Sequence, residues 1–67
     1  MKNDLLLSER ESQIAALVVA GASNKEIARQ LEISTQTVKN TLTRVFDKTG
    51  TRSRTQLAVL ILRADSV

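Results

Sequence analysis

The run SNKEIARQLEISTQTVK, Ser23 to Lys39, holds two helix starts separated by very little chain. Ser23 is followed three residues later by Glu26. That spacing makes a capping box, with the hydroxyl accepting from one backbone amide and the carboxylate returning to another. Ile27, Ala28 and Leu31 then recur at the interval of one helix face. Only Glu32, Ile33 and Ser34 separate Leu31 from Thr35. Ser34 suits the cap of a second helix, with Thr37 where an acid would be usual. A turn this short makes the second helix cross the first steeply. Such a crossing needs a small residue at the contact, an apolar plug in the turn and an aliphatic anchor beneath the second helix. Ala28, Ile33 and Val38, spaced by five, meet those needs and outline a helix-turn-helix.

On either side of this stretch the helix signals continue. Ser8-Glu9-Arg10-Glu11 is another capping box, followed by Ile14, Leu17 and Val18 on one face. Gly21 ends that helix, because glycine enters the left-handed region at no steric cost. Gly50 closes the third helix. Ser53-Arg54-Thr55-Gln56 reads as a third full box, opening a helix that turns Leu57, Leu60, Ile61 and Ala64 inward. The expected fold is all-α, a compact four-helix domain with a central helix-turn-helix. Its helices span approximately 8–20, 24–31, 35–48 and 53–64, and residues 1–67 form one domain.

Composition narrows the chemistry. The chain has 67 residues, of which 42% are apolar, and Phe46 is its single aromatic. A chain of this size hides only about 60% of its unfolded surface, so the core is small and aliphatic. There is no Pro, Cys or His. Disulfides, thiol nucleophiles, imidazole catalysis and zinc-finger ligation are therefore excluded. Glu11 and Glu26 resemble a carboxylate pair but each already has a capping role, so no enzyme, metal or cofactor is expected. No apolar run approaches the roughly 20 residues of a membrane span. Met1 to Leu7 is too short for a secretory signal.

The net charge of +3 is unevenly spread. Residues 1–33 carry four cations against five anions, and residues 34–67 carry six against two. A basic half suggests a polyanionic partner. Rotating the third helix by roughly 100° per residue puts Val38, Leu42, Val45 and Thr49 on one side, with Thr41 and Phe46 flanking. Gln36, Asn40, Thr43 and Asp47 lie opposite, with Lys39 and Arg44 at the margins. That polar face has the chemistry to read base edges in a major groove. Lys donates to guanine, Asn and Gln pair with adenine, and a Thr methyl meets thymine. A helix-to-helix salt bridge and a DNA contact are equal prospects for Arg44.

Ser23-Asn24-Lys25-Glu26-Ile27-Ala28, Leu31-Glu32-Ile33-Ser34 and Thr37-Val38-Lys39 together resemble the LuxR/GerE-type helix-turn-helix of bacterial response regulators and quorum-sensing regulators. The likeness extends through Leu7-Ser8-Glu9-Arg10-Glu11, Ala20-Gly21-Ala22-Ser23, Lys48-Thr49-Gly50-Thr51 and Ser53-Arg54-Thr55-Gln56, over about residues 5–64. It implies a third helix in the major groove, with Lys39, Asn40 and Thr43 at base edges, joined by Gln36 from the face itself. It implies phosphate contacts by Lys25, Thr35, Thr37 and Arg54. The chain departs from the pattern at Thr41 (usually His), Gln13 (acid), Thr49 (Leu) and Thr51 (Val or Ala). The threonines at 41 and 49 are expected to weaken the apolar seam of the third helix.

The resemblance implies sequence-specific binding of double-stranded DNA by a bacterial transcription regulator working in the cytoplasm, at the nucleoid. It also implies a homodimer formed through the fourth helix. The unbroken run Leu57 to Leu62 leaves some aliphatic surface outside a small core, with Val59, Leu62 and Arg63 as the candidate interface, while a helix that simply closes the domain accounts for the run equally well. Two other readings stand beside this one. Leu42-Thr43-Arg44 resembles the promoter-reading region of sigma factors, which act with RNA polymerase. A helical protein-interaction module is the second.

Overall fold

A computed structural model describes residues 6–65 and contains four helices, α1 Glu9–Val19, α2 Asn24–Leu31, α3 Thr35–Thr49 and α4 Arg54–Asp65. Among the described residues there is no strand. Residues 1–5 and 66–67 and the side chains of Ala64 and Asp65 lie outside the description. The expected helices are all present, with ends within one residue of those read from the sequence. The small differences fall at the caps. Ser8, Ser23 and Ser34 keep extended backbone angles while their hydroxyls accept from the third residue onward.

Two of the boxes are reciprocal. Ser8 N–H donates to Glu11 Oε1 at 2.8 Å and Glu11 N–H to Ser8 Oγ at 3.1 Å. Ser23 and Glu26 repeat this at 2.7 and 3.1 Å. At α3 the return arm is replaced, as Thr37 brings a hydroxyl within 2.9 Å of Ser34 Oγ. The box expected at Ser53 is incomplete. Gln56 N–H donates to Ser53 Oγ, but Gln56 Oε1 accepts from Arg52 N–H instead of Ser53 N–H. The neutral amide reaches one residue further back and ties down the loop before the helix.

Helix exits follow one rule. Ala22 N–H donates to Leu17 O, Ile33 N–H to Ala28 O and Thr51 N–H to Phe46 O, each across five residues at 3.0–3.1 Å. This closure requires a left-handed residue just before the donor. Gly21 and Gly50 serve at the outer exits, with φ of +92° and +69°. At the central turn the residue is Glu32, with φ of +57°. Composition did not show this, because the turn holds no glycine.

The closure positions the plug. Ile33 packs against the core directly beneath the crossing residue Ala28, to which its own amide is bonded. The core joins Leu7, Ile14, Ala15 and Val18 of the amino-terminal side to Ile27, Ala28, Val38, Leu42, Val45 and Leu57. Helix α1 packs on both α3 and α4, and α2 packs on α3. Thr41 was expected at the flank of the α3 seam but is fully buried. Its Oγ1 accepts from Arg44 Nη2 at 3.3 Å. Thr49 donates its hydroxyl to Val45 O at 2.8 Å. Both threonines therefore enter the seam with their polar atoms paired, which removes the usual penalty for burying a hydroxyl.

A non-glycine residue in the left-handed region costs roughly 1–2 kcal/mol. Glu32 is exposed and has no side-chain partner among the described residues. Glu32→Gly is therefore expected to raise stability by about 1 kcal/mol, or roughly 4–8 °C in melting midpoint for a chain of this size. Thermal unfolding followed by circular dichroism checks this, and an unchanged or lower midpoint would count against strain at the turn.

Candidate nucleic-acid interface

Helix α3 has two faces with opposite tasks. Val38, Thr41, Leu42 and Val45 are buried, and they hold the helix against α1 and α2. Gln36, Lys39, Asn40, Thr43 and Asp47 are exposed on the other side. Spacings of three and four residues gather Gln36, Lys39, Asn40 and Thr43 into one lozenge on the helix surface. The structure thus brings together all four residues expected at base edges. An α-helix with its side chains, about 10–12 Å across, matches a major groove about 12 Å wide.

Within the lozenge the polar groups are already organised. Gln36 Nε2 donates to Asn40 Oδ1 at 3.0 Å. Thr43 Oγ1 donates to Lys39 O at 3.1 Å, which uses the hydroxyl proton on the helix's own backbone.

The residues expected at phosphates separate into two kinds. Lys25, Thr35 and Thr37 are exposed in the first turns of α2 and α3. Backbone amides and the positive end of the helix dipole lie at those turns, an environment that favours anions. Thr37 also serves the cap of α3 through Ser34. Arg54 is different. It is half-buried, and Nη1 donates to Asn24 Oδ1 at 2.7 Å while Nη2 donates to the Ala22 carbonyl. Its guanidinium ties the start of α4 to the turn before α2. Substituting Arg54 therefore disturbs the fold as well as any phosphate contact. Asn24, its partner, carried no signal in the sequence beyond its place after a cap.

A second cluster lies behind α3. Glu11 is buried, yet its carboxylate is the meeting point of three donors. Oε1 accepts from Ser8 N–H and from Lys48 Nζ, each at 2.8 Å, and Oε2 lies 3.6 Å from Arg44 Nε. Sequence reading assigned Glu11 the capping role but missed the pairing with Lys48, which is 37 residues away. Arg44 takes the salt-bridge option while its side chain stays 60% exposed. The Lys48 hydrogen bond and then the Ser8 amide hold the Glu11 carboxyl below its ordinary pKa of 4.5. The Ser23 amide does the same for Glu26.

Depressed carboxylate pKa values stabilise the fold above about pH 4.5 and lose that contribution as pH falls through the folded-state values. The melting midpoint is expected to be flat from pH 7 to about 5 and to fall below it. Glu11→Gln should melt lower than the parent at pH 7 and lose less on acidification, because the contribution of the Glu11 carboxylate is then absent at every pH. Equal acid sensitivity in the two proteins would show that Glu11 is not the group responsible.

Among the described residues no cluster of three or more His, Cys, Asp or Glu could hold a metal ion, and no helix is long and apolar enough to cross a membrane. Comparison with known proteins bears on the exposed face of α3. The pattern of the family described as bacterial regulatory proteins, luxR family, matches residues 5–61. The chain is 50% identical over 52 residues to the monoamine regulon transcriptional regulator of Klebsiella aerogenes, a match covering 78% of this chain and 23% of that protein. It is 46% identical over 54 residues to the response regulator Rre1 of Synechocystis, covering 81% of this chain and 23% of that protein. It is 40% identical over 58 residues to the spore germination protein GerE of Bacillus subtilis, covering 87% of this chain and 78% of that protein. The chain thus spans about a quarter of the first two relatives and most of the third.

Proposed function

The chain belongs to the luxR family of bacterial regulatory proteins, and from that membership we propose that it binds double-stranded DNA sequence-specifically as part of transcription regulation, with α3 in the major groove. It is a regulatory protein and not an enzyme. The observation that carries the DNA reading is the exposed lozenge of Gln36, Lys39, Asn40 and Thr43. It stands on a helix whose opposite face is the core, directly after a three-residue turn.

Base contacts from the lozenge select the sequence, and phosphate contacts from Lys25, Thr35 and Thr37 fix the docking. Lys39 is the strongest candidate for a guanine contact, because its ammonium is exposed and it donates only. Arg54 contributes to a phosphate contact from a position already tied to Asn24. Residues 1–67 act as one DNA-binding domain in this reading, in the cytoplasm and at the nucleoid, with RNA polymerase as a further partner at the promoter.

Pairing through α4 is part of the same proposal. Val59 and Leu62 are 44% and 56% exposed, large values for aliphatic residues on a small chain. Val59 and Arg63 also line a shallow groove with Thr51, Thr55 and Leu60 beside the exit of α3. A second copy apposed along this edge would cover the aliphatic surface and set two recognition helices at a fixed spacing. Leu62→Glu is expected to move the chain toward monomer in sedimentation and to weaken binding to paired half-sites more than to a single one. An unchanged association state would remove α4 as the pairing surface.

Titration of labelled duplex at several salt concentrations tests the DNA reading. Lys39→Ala is expected to weaken selected sites by roughly 5- to 150-fold and to blur their sequence preference. Lys25→Ala should weaken all sequences alike and reduce the salt slope by about 1. Parent-like binding by both variants would overturn the assignment of these residues.

A further inference from the structure

The four side chains of the lozenge do not present all of their hydrogen-bonding groups outward, because three of them, Gln36, Asn40 and Thr43, are engaged in hydrogen bonds within α3. Thr43 has donated its hydroxyl proton to Lys39 O, so it offers a methyl and an acceptor oxygen but no donor. Gln36 has donated from Nε2 to Asn40 Oδ1. That bond biases the Asn40 amide toward the orientation in which Oδ1 faces Gln36 and the two N–H groups of Nδ2 point away. One residue earlier stands the Lys39 ammonium, which is donor-only and exposed. The middle of the lozenge therefore presents donors side by side.

Asparagine free to rotate its amide offers adenine one donor and one acceptor, the complement of N7 and the 6-amino group. Asparagine held by its oxygen offers donors, the complement of the N7 and O6 acceptors of guanine. We propose that Gln36 is a positioning residue that acts through Asn40, turning its Nδ2 outward beside Lys39 so that α3 selects guanine at the base pair facing Asn40. The inference rests on the DNA-binding reading above and names the base that this site takes. It also gives Gln36 a different role from a direct base contact. Glutamine and asparagine four residues apart on an exposed helix face bond to each other without any core packing, so the arrangement exists before DNA arrives.

Selection from random duplexes, read by sequencing, tests it with the parent chain and three variants. The parent is expected to enrich guanine over adenine at one position by roughly tenfold, within the 5- to 150-fold range of a good base contact. Asn40→Ala should lose that preference. Gln36→Ala should reduce it at the same position by about twofold, the shift that losing an exposed glutamine–asparagine bond supports, with the salt slope unchanged. Gln36→Glu is the sharper variant. A carboxylate cannot donate to Oδ1 but can accept from Nδ2, so the Asn40 amide turns over and presents its oxygen. The preference should then move to adenine or cytosine, whose amino groups face the major groove. Both sites are exposed, and Ala and Glu are good helix formers, so parent-like melting is expected for each variant.

An unchanged motif in Gln36→Ala overturns the positioning role. So does relaxation at a position other than the one Asn40→Ala affects, because Gln36 would then be reading a base itself. Adenine at the Asn40 position of the parent motif also overturns it. Failure of the parent to retain any duplex at any salt concentration is a distinct result, which removes the DNA reading and this inference together.

Discussion

A three-residue turn with a left-handed glutamate at its start and an isoleucine beneath it sets the geometry on which the exposed polar face of α3 stands. Glu32 reverses the chain, Ile33 enters the core and bonds back to Ala28, and Ser34 caps the next helix. Each residue of the turn thus has a separate task, leaving no slack between α2 and α3. With Val38 fully buried one helical turn later, the rotation of α3 about its axis is determined. Rotation decides which residues face outward. Gln36, Lys39, Asn40 and Thr43 are presented together because Val38, Thr41, Leu42 and Val45 are held inside.

Charge is sorted by the same packing. The carboxyl-terminal half carries the excess of cations, but they do not form a uniform positive surface. Glu11 draws Lys48, and more weakly Arg44, toward α1, while Arg54 is occupied by Asn24 and the Ala22 carbonyl. Lys39 and Lys25 are left at the surface near the start of α3 and α2. A buried carboxylate with three donors is costly to desolvate and is stabilising only while all its partners stay in place. Glu11 therefore joins two features that look separate along the chain, namely the cap of α1 and the docking of α3.

Much of this was legible from residue order. Helix starts are local events, since a serine and an acid three residues apart satisfy the same amides in any fold. That is why the boxes at Ser8 and Ser23 could be read directly. The box at Ser53 could not, because its glutamine had two amides within reach and only the loop geometry selected Arg52. The outward set on α3 was legible because a helix has one period, and Val38 and Leu42 mark its inner side. The burial of Thr41 was not. A threonine at the edge of a seam goes either way, and here Arg44 closes over it.

By itself, the sequence determined the four helices, their order, the short central turn and the residues along the polar side of α3. All of these follow from interactions between residues at most a few positions apart. Tertiary structure alone decided that Lys48 meets Glu11 across 37 residues, that Arg54 braces the start of α2, and that Glu32 takes a backbone region usually left to glycine. These depend on how whole helices are set against one another, and no local spacing encodes the distance between two groups brought together by packing.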